Sequence, residues 1–204
     1  MIFVELNDIE KYISDGAKAR SSINPKQVLD VGKEMGRRML EGKKLILFGN
    51  GGSAADAQHI AAEFVCKFKK ERRALPALAL HTNTSTITAI GNDYSYDNIY
   101  VRQIEAFASP GDIVIGISTS GNSVNVIKAI EKANEIGCLT IAFTSKNGGR
   151  LKEKASIVFS MDSNDTPIVQ ESYLAVGHML SQIVLIPVLS PNSISKSLFP
   201  ITNE

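Results

Sequence analysis

The chain has 204 residues, with 22 basic and 21 acidic side chains and a formal net charge of +1. This length suits one domain with a single core, and the balanced charge gives no basic surface for nucleic acid. No apolar stretch approaches the roughly 20 residues of a membrane-spanning helix, and Met1–Glu5 has no signal-peptide pattern. Because Cys66 and Cys138 lie in apolar segments without metal-type spacing, we expect buried free thiols and a cytoplasmic protein.

Two helices are predicted at the start of the chain. The segment Asn7–Lys18 reads as a helix, and Asn24-Pro25 then supplies a cap followed by proline at the first helical position. Four apolar residues recur at helical spacing after this pair, namely Val28, Val31, Met35 and Met39.

Short apolar strands then alternate with helices. The predicted strands are Leu45–Phe48, Leu75–Leu80, Ile113–Ile117, Leu139–Phe143 and Ile157–Phe159. One predicted helix follows the first strand and ends at about Lys67. Three others span Thr84–Ile90, Val124–Ile136 and Pro167–Leu189. Continuous apolar strands between helices predict an α/β fold with a parallel sheet flanked by helices. The last helix is apolar nearly all round, so we expect it to be buried on more than one side, in a homo-oligomer. The basic run Lys67–Arg73 is interpreted as a solvated helix end.

The loop Ser118–Ser123 carries four hydroxyl residues and a glycine between a buried strand and a helix. Free backbone N–H groups, the positive end of a helix and several hydroxyl donors together suit a phosphate dianion. A helix cap with spare serines is the alternative, but one capping hydroxyl is sufficient for that role. The loop therefore predicts a phosphate site.

The loop Gly49–Ser53 also leads from a strand into a helix. Its glycines let the backbone approach a ligand closely, although a plain tight turn fits them as well. Ala54 stands where the dinucleotide fingerprint needs a third glycine, and no Gly-Lys-Ser/Thr follows to make a P-loop.

Two helices carry residues that suit acid–base or metal chemistry. His59 and Glu63 are four residues apart, which places them on one helical face. Gln170 and His178 lie on the last helix, eight residues and about 12 Å apart, so a site between subunits would bring them together more easily. A surface contact for the His/Glu pair and a hydrogen-bonded core histidine are the alternatives. A metalloprotease is excluded because His-Glu-x-x-His is absent.

The combined motifs resemble the sugar isomerase (SIS) domain family, and within it the phosphoheptose isomerases. The motifs are Gly49–Ser53, Ala57–His59, Gly91–Tyr94 and Ile117–Ser123. The resemblance covers nearly the whole chain. It implies one SIS domain over residues 1–204 with a flavodoxin-like sheet, in which residues 1–42 contribute to oligomerisation. It further implies a homotetramer with sites between subunits.

The resemblance also implies an aldose–ketose isomerase that converts sedoheptulose 7-phosphate to D-glycero-D-manno-heptose 7-phosphate, for lipopolysaccharide or capsule heptose. The matching substrate contacts are Asn50, Gly51, Gly52, Ser53, Glu63, Asn92, Asp93, Ser118, Thr119, Ser120, Ser123 and Gln170. The matching ligands for one zinc ion per site are His59, Glu63, Gln170 and His178. Such a reaction needs a base and an acid, and we assign these roles to Glu63 and His178.

Two positions depart from the family pattern, since Lys67 and Ile168 stand where arginines are common. Lys67 keeps the charge but loses the bidentate geometry of arginine, and the loss at Ile168 affects substrate fit more than chemistry. Three alternatives stay open at this point. One is a non-catalytic relative of the replication-initiator-associating type, although the acid–base and metal set is complete here. Another is an isomerase of a different phosphorylated ketose. The third is a sugar-phosphate sensor, which usually accompanies a DNA-binding domain that this chain lacks.

Overall fold

Two amphipathic helices open the chain, as the apolar spacing predicts. In the computed structural model, which describes residues 4–188, they are α1 (Leu6–Ser21) and α2 (Pro25–Leu40). Asn24 caps α2, since its side-chain oxygen accepts hydrogen bonds from two backbone N–H groups of the first turn, at 3.0 and 3.2 Å. The apolar face of α2 is buried, whereas much of α1 is exposed.

Within residues 4–188, five parallel strands form one sheet in the order β2-β1-β3-β4-β5. They are β1 (Leu45–Gly49), β2 (Ala77–Ala79), β3 (Ile113–Ile117), β4 (Leu139–Thr144) and β5 (Ile157–Ser160). Every residue of β1 and β3 is buried, as parallel strands covered on both faces require. The predicted flavodoxin-like sheet is confirmed, because this strand order is the flavodoxin order.

Helices cover both faces of the sheet. After α1 and α2 they are α3 (Gly52–Val65), α4 (Thr84–Asp93), α5 (Val101–Phe107), α6 (Val124–Ile136) and α7 (Thr166–Val188). Successive strand side chains point to opposite faces, so Leu45 and Leu47 join a core with α2, α3 and α7. Ile46 and Phe48 join a second core with residues of α4, α5 and α6.

The last helix, α7, is buried on several sides, as predicted. It packs against α1, α2 and α3, and Tyr173, Val176, Leu180 and Val184 are almost fully buried. The predicted end of this helix, Leu189, lies outside the described residues. Within the part of the chain that the structure describes, no helix is both long enough and apolar enough to cross a membrane.

The region around the edge strand differs from the sequence prediction. β2 spans only Ala77–Ala79 rather than Leu75–Leu80, because Pro76 has no N–H to donate and β2 pairs on one side only. Helix α5 and the short 3-10 helices Tyr96–Asn98 and Arg150–Glu153 were not predicted. Helix α4 continues three residues beyond its predicted end at Ile90.

The end of α3 corrects two further expectations. The helix ends at Val65 rather than about Lys67, so the Cys66 thiol is exposed, whereas Cys138 is buried as expected. The basic run Lys67–Arg73 is therefore not a helix end. It folds back on α3, where the Arg72 guanidinium donates a hydrogen bond to the Glu63 carbonyl oxygen at 2.6 Å.

Candidate active site

The glycine loop, Gly49–Ser53, connects the buried end of β1 to the first turn of α3. Gly51 caps the helix with a φ of 55°, a left-handed conformation that favours glycine. Gly51 and Gly52 are exposed, so the N-terminus of α3 opens toward solvent at the carboxyl edge of the sheet. Ser53 is instead buried, and its hydroxyl lies 2.8 Å from the Tyr173 hydroxyl of α7. The backbone of this loop is accessible to an anion.

The side chain of Asn50 is fixed by two residues that the sequence analysis did not single out. Its Nδ2 donates to Asn125 Oδ1 at 3.0 Å, and its Oδ1 accepts from Asn125 Nδ2 at 2.9 Å and from the Tyr96 hydroxyl at 3.2 Å. Both acceptor positions of Oδ1 are then used, which leaves one N–H of the Asn50 amide for a ligand. Asn125 is buried in the first turn of α6, so these hydrogen bonds join the glycine loop to the helix that follows Ser118–Ser123.

The serine loop, Ser118–Ser123, follows β3 and ends at the N-terminus of α6. Ser118 is buried and its hydroxyl donates to the Ser123 hydroxyl at 3.0 Å. Thr119 and Ser120 line an open cavity of about 350 Å³. Its other lining residues, all of them polar or glycine, are Asn122, Ser145, Asn147, Gly149, Asn164 and Thr166. Hydroxyl and amide donors therefore face this cavity beside a positive helix end.

The loop Ser145–Gly149, which follows β4, packs against the serine loop. Gly121 has a φ of 66°, and a Cβ at this position would lie 1.9 Å from the Gly148 carbonyl oxygen. The Leu151 N–H donates to the Gly121 carbonyl at 2.9 Å. A side chain at residue 121 would separate the two loops, so this glycine is required by both its φ and its close contact.

His59, Glu63 and His178, called the histidine cluster below, converge at the contact between α3 and α7. The Nε2 atoms of His59 and His178 lie 2.9 Å apart, and Glu63 Oε1 lies 3.4 Å from His59 Nε2. One ligand atom from each residue lies within 4.8 Å of the others. Glu63 and His178 are half-buried, whereas His59 is exposed. The predicted pairing of His59 with Glu63 on one face is confirmed, and folding adds His178 to the pair.

Close packing of α3 and α7 makes this convergence possible. Gly177 precedes His178, and a Cβ at this position would lie 2.6 Å from a side-chain carbon of Ile60. Ile60 follows His59 in α3, so this close contact between the helices lies beside the two imidazoles. A larger residue at position 177 would force Ile60 to move.

Gln170 lies apart from the histidine cluster within one chain. A Cβ on Gly52 would meet the Gln170 Nε2 at 2.6 Å, which places this amide against the glycine loop. Eight helical residues separate it from His178, a distance of about 12 Å along α7. The structure therefore places Gln170 beside the glycine loop, away from the other predicted zinc ligands of the same chain.

Beside Gln170, the hydroxyl of Tyr173 lies at the centre of a polar network that the sequence analysis missed. Tyr173 contacts Ser53, and burial raises the pKa of its hydroxyl above the usual range. Burial also raises the pKa of the nearby Asp56 carboxyl, while a hydrogen bond from Tyr173 opposes that shift. Tyr173 follows Gln170 by three residues, so their shared helical face was the signal in the sequence.

Asn92 and Asp93 are the last residues of α4, where both are exposed and the Asn92 Nδ2 donates to Asp93 Oδ1 at 2.8 Å. Tyr96, three residues after Asp93, connects this segment to Asn50.

Two positions depart from the family pattern of arginines. Lys67 is exposed and paired with Glu71, whereas Ile168 is buried in the first turn of α7. Position 168 therefore serves apolar packing in this chain.

A sequence profile described as the SIS domain matches residues 11–145 of the chain, which is more than half of its length. The chain belongs to the SIS domain family. A phosphoheptose isomerase of Aquifex aeolicus is 47% identical over 182 residues, 88% of this chain and 95% of that protein.

Two solved SIS structures are similar over nearly their whole length. The phosphoheptose isomerase from Francisella tularensis superposes with a TM-score of 0.84 at 31% identity, covering 89% of this chain and 98% of that one. The phosphoheptose isomerase from Neisseria gonorrhoeae gives 0.81 at 33% identity, covering 87% and 97%. The predicted resemblance to the phosphoheptose isomerases, and with it the class of sugar-phosphate isomerase, is confirmed.

Proposed function

We propose that this protein converts sedoheptulose 7-phosphate to D-glycero-D-manno-heptose 7-phosphate and supplies heptose for lipopolysaccharide, capsule or a related glycan. The observation that carries the proposal is the convergence of Glu63 with two histidines in a chain that also has a phosphate-type serine loop. The names of its relatives point to the same substrate class. We infer that residues 1–204 form one SIS domain and that the enzyme acts in the cytoplasm.

The two loops at the carboxyl edge of the sheet bind the substrate in this proposal. Hydroxyls of Thr119, Ser120 and Ser123 donate to the phosphate oxygens, and the N-terminus of α6 adds the positive end of its dipole. Ser118 supports this contact by donating its own hydroxyl proton to Ser123. Asn50 offers its remaining N–H to the sugar, and the backbone of Gly51 and Gly52, with Ser53, forms the wall beside it. Gln170, Asn92 and Asp93 complete the contacts with sugar hydroxyls.

Glu63 and His178 carry the proton transfers. Aldose–ketose isomerisation removes a proton from one carbon of the C1–C2 pair and returns it to the other through a cis-enediol. The Glu63 carboxylate takes and returns this carbon-bound proton. The His178 imidazole gives a proton to the carbonyl oxygen as the enediol forms, and it takes a proton from the neighbouring hydroxyl as the new carbonyl forms.

The histidine cluster fits a zinc ion by the chemistry of its donors. Two imidazole nitrogens and one carboxylate oxygen form a three-ligand set that catalytic zinc takes, with a position left open for substrate. We therefore propose one zinc per site, held by His59, Glu63 and His178. When bound, the ion supplies a Lewis acid that polarises the substrate carbonyl. Gln170 would reach it only from a second subunit.

The separation between the loops and the histidine cluster favours a site shared between subunits. Helix α3 begins at the glycine loop, and Glu63 lies 11 residues further on, about 16 Å along the helix axis. A sugar phosphate anchored on one serine loop would meet the histidine cluster of a neighbouring subunit more readily. We propose a homotetramer in which α1 contributes to the contacts, because Leu6, Ile9 and Ile13 expose an apolar stripe on it.

Turnover of the proposed substrate is the first test. The protein is incubated with sedoheptulose 7-phosphate, with and without added zinc, and formation of an aldoheptose phosphate is followed by NMR. Parallel samples with pentulose and hexulose phosphates separate this reaction from isomerisation of another ketose. No turnover of any of them, with zinc present, would support the non-catalytic alternative and reject the proposed activity.

Mixed oligomers test the shared site. At a substrate concentration near the wild-type KM, a Glu63→Gln variant and a Ser120→Ala/Ser123→Ala variant are each expected to show little turnover alone, the first for loss of the base and the second for loss of substrate binding. If one active site takes its loop and its histidine cluster from different subunits, co-refolded mixtures regain a fraction of wild-type activity. Mixtures that stay as inactive as the parents would place both ends of the site in one chain.

A further inference from the structure

The segment Cys66–Arg73, called the strap below, connects α3 to β2 and lies against the histidine cluster. Lys69, within the strap, has a φ of 59°, and among the described residues it is the only one other than glycine with a positive φ. A lysine rarely adopts this left-handed conformation, because its Cβ crowds the backbone. Such a residue persists where surrounding contacts hold it, and contacts with both α7 and α3 hold the strap.

Two contacts join the strap to α7. The ring of Phe68 stacks on the imidazole of His178, with centroids 5.8 Å apart and planes 13° from parallel. Lys69 Nζ donates a hydrogen bond to Gln182 Oε1 at 2.8 Å and lies 5.5 Å from the Phe68 ring. Since Gln182 follows His178 by four residues, both contacts fall on one face of α7.

A third contact joins the strap to α3. The Arg72 guanidinium donates to the main-chain carbonyl of Glu63, while its buried Nε has no partner among the described residues. An unpaired buried donor costs free energy, so other contacts must offset it. The strap therefore touches the backbone of Glu63 and the ring of His178, the two residues to which the proposed function assigns proton transfer.

His178 depends on the strap for its orientation. Its contact with His59 is edge-on, with centroids 5.1 Å apart and planes 68° from parallel. This contact restrains one edge of the imidazole and leaves its plane free to turn about the side-chain bond. The Phe68 ring lies nearly parallel to that plane, so turning the imidazole would bring its edge into Phe68. Without Phe68, His178 Nε2 could swing away from His59 and Glu63.

We propose that Phe68 is a positioning residue that holds the His178 imidazole so that its Nε2 faces His59 and Glu63, with Lys69 and Arg72 fixing the strap that carries it. The inference rests on the proposed function, because it takes the histidine cluster to be the reaction centre. Phe68 touches neither substrate nor metal; it acts through the ring of His178.

Three substitutions separate ring stacking from simple burial. Phe68→Ala removes the side chain, Phe68→Leu keeps an apolar side chain without a ring, and Phe68→Tyr keeps the ring. Phe107→Ala is the control, since Phe107 is half-exposed at the end of α5, away from α3 and α7. Each full-length variant is compared with the wild type by histidine NMR without metal, by zinc competition against a chelating dye, and by kcat and KM.

The expected result is a graded loss at the histidine cluster. Phe68→Ala and Phe68→Leu lose the upfield ring-current shift of the His178 protons and the nuclear Overhauser effect between the two imidazoles. Their zinc affinity and kcat each fall about tenfold, with KM nearly unchanged, which is the scale for residues that orient metal ligands. Phe68→Tyr and Phe107→Ala behave like the wild type in all three measurements.

Other outcomes overturn the inference. If Phe68→Ala keeps the histidine contact in the NMR spectra, or if Phe68→Tyr loses as much as Phe68→Ala, stacking does not orient His178. A wild-type protein that neither binds zinc nor turns over a ketose phosphate would reject the proposed function instead. The metal-free NMR comparison would still decide whether Phe68 holds His178.

Discussion

The two ends of the candidate site are built in different ways. The serine and glycine loops each consist of consecutive residues at the carboxyl edge of the sheet, directly before the N-termini of α6 and α3. The histidine cluster is formed by two helices whose contributing residues are more than 100 positions apart, Glu63 and His178 among them. The residues of such a loop are brought together by the strand before it and the helix after it, but the cluster exists only if α3 packs on α7.

This difference predicts how each end responds to substitution. Loss of a loop hydroxyl removes one of several donors, so binding weakens while chemistry continues. Loss of the carboxylate in the cluster removes the group that moves the proton, so chemistry stops while binding continues. The predictions below test this division, in order of decreasing effect.

Glu63→Gln has the largest expected effect. The amide keeps the size of the side chain but cannot take a proton, so kcat should fall by about 10²–10⁴-fold in the NMR turnover assay. Glu153→Gln, a change at an exposed position in the 3-10 helix after β4, should leave kcat unchanged. Size-exclusion chromatography should give the same elution volume for both variants. Turnover within threefold of the wild type would remove Glu63 from its proposed role.

Gly121→Ala should unfold the protein more easily and weaken substrate binding. The new Cβ adds a clash with the Gly148 carbonyl to the strain of a positive φ, so we expect a loss of about 2–4 kcal/mol in the free energy of unfolding.

Gly42→Ala is the matched control for Gly121→Ala. Gly42 has a φ of 82° with nothing within 4 Å of a built Cβ, so this variant carries the strain without the clash. We expect it to lose about 1 kcal/mol. Urea denaturation of both variants measures the difference, and equal losses would show that the contact between the two loops contributes nothing.

Ser120→Ala should affect binding alone. Removing one hydroxyl donor to a phosphate dianion should raise KM by about tenfold and leave kcat within about twofold. Ser85→Ala, at an exposed position in the first turn of α4, serves as the control. A fall in kcat at unchanged KM would mean that the loop takes part in the chemistry, against the division drawn above.

His81→Gln should have the smallest effect, limited to the pH dependence of stability. His81 lies in the turn two residues after β2, beside Gln58 of α3, and burial lowers the pKa of its imidazole below the usual 6.5. The unfolded chain therefore takes up a proton near pH 6.5 that the folded chain takes up only at lower pH. The stability contributed by neutral His81 is present above pH 6.5 and is lost as the pH falls toward the folded-state pKa.

Urea denaturation between pH 7.5 and 5.5 measures this effect for the wild type and for His81→Gln. The free energy of unfolding of the wild type should fall more on acidification than that of the variant. Parallel curves for the two proteins would mean that His81 has the same pKa in the folded and unfolded states.

Local chemistry explains which parts of the fold could be predicted. The Asn24-Pro25 start of α2 and the apolar runs of β1, β3 and β4 depend on neighbouring residues, and the structure confirms each of them. The edge strand β2 was predicted too long because its length depends on pairing with β1, and that pairing covers only Leu45–Leu47. Cys66 was placed in the core because the end of α3 at Val65 depends on the strap folding back.

By itself, the sequence determined the α/β alternation, the glycine and serine loops, and the pairing of His59 with Glu63, because each arises from residues within one element or one connection. Only the tertiary structure decided that His178 joins that pair, that Gln170 lies on the glycine loop and that Asn125 and Tyr96 fix Asn50. Those contacts join residues from 46 to 119 positions apart. The contacts of His178 and Gln170 follow from the close packing of α3 against α7, and those of Asn50 follow from the meeting of the glycine loop with α6.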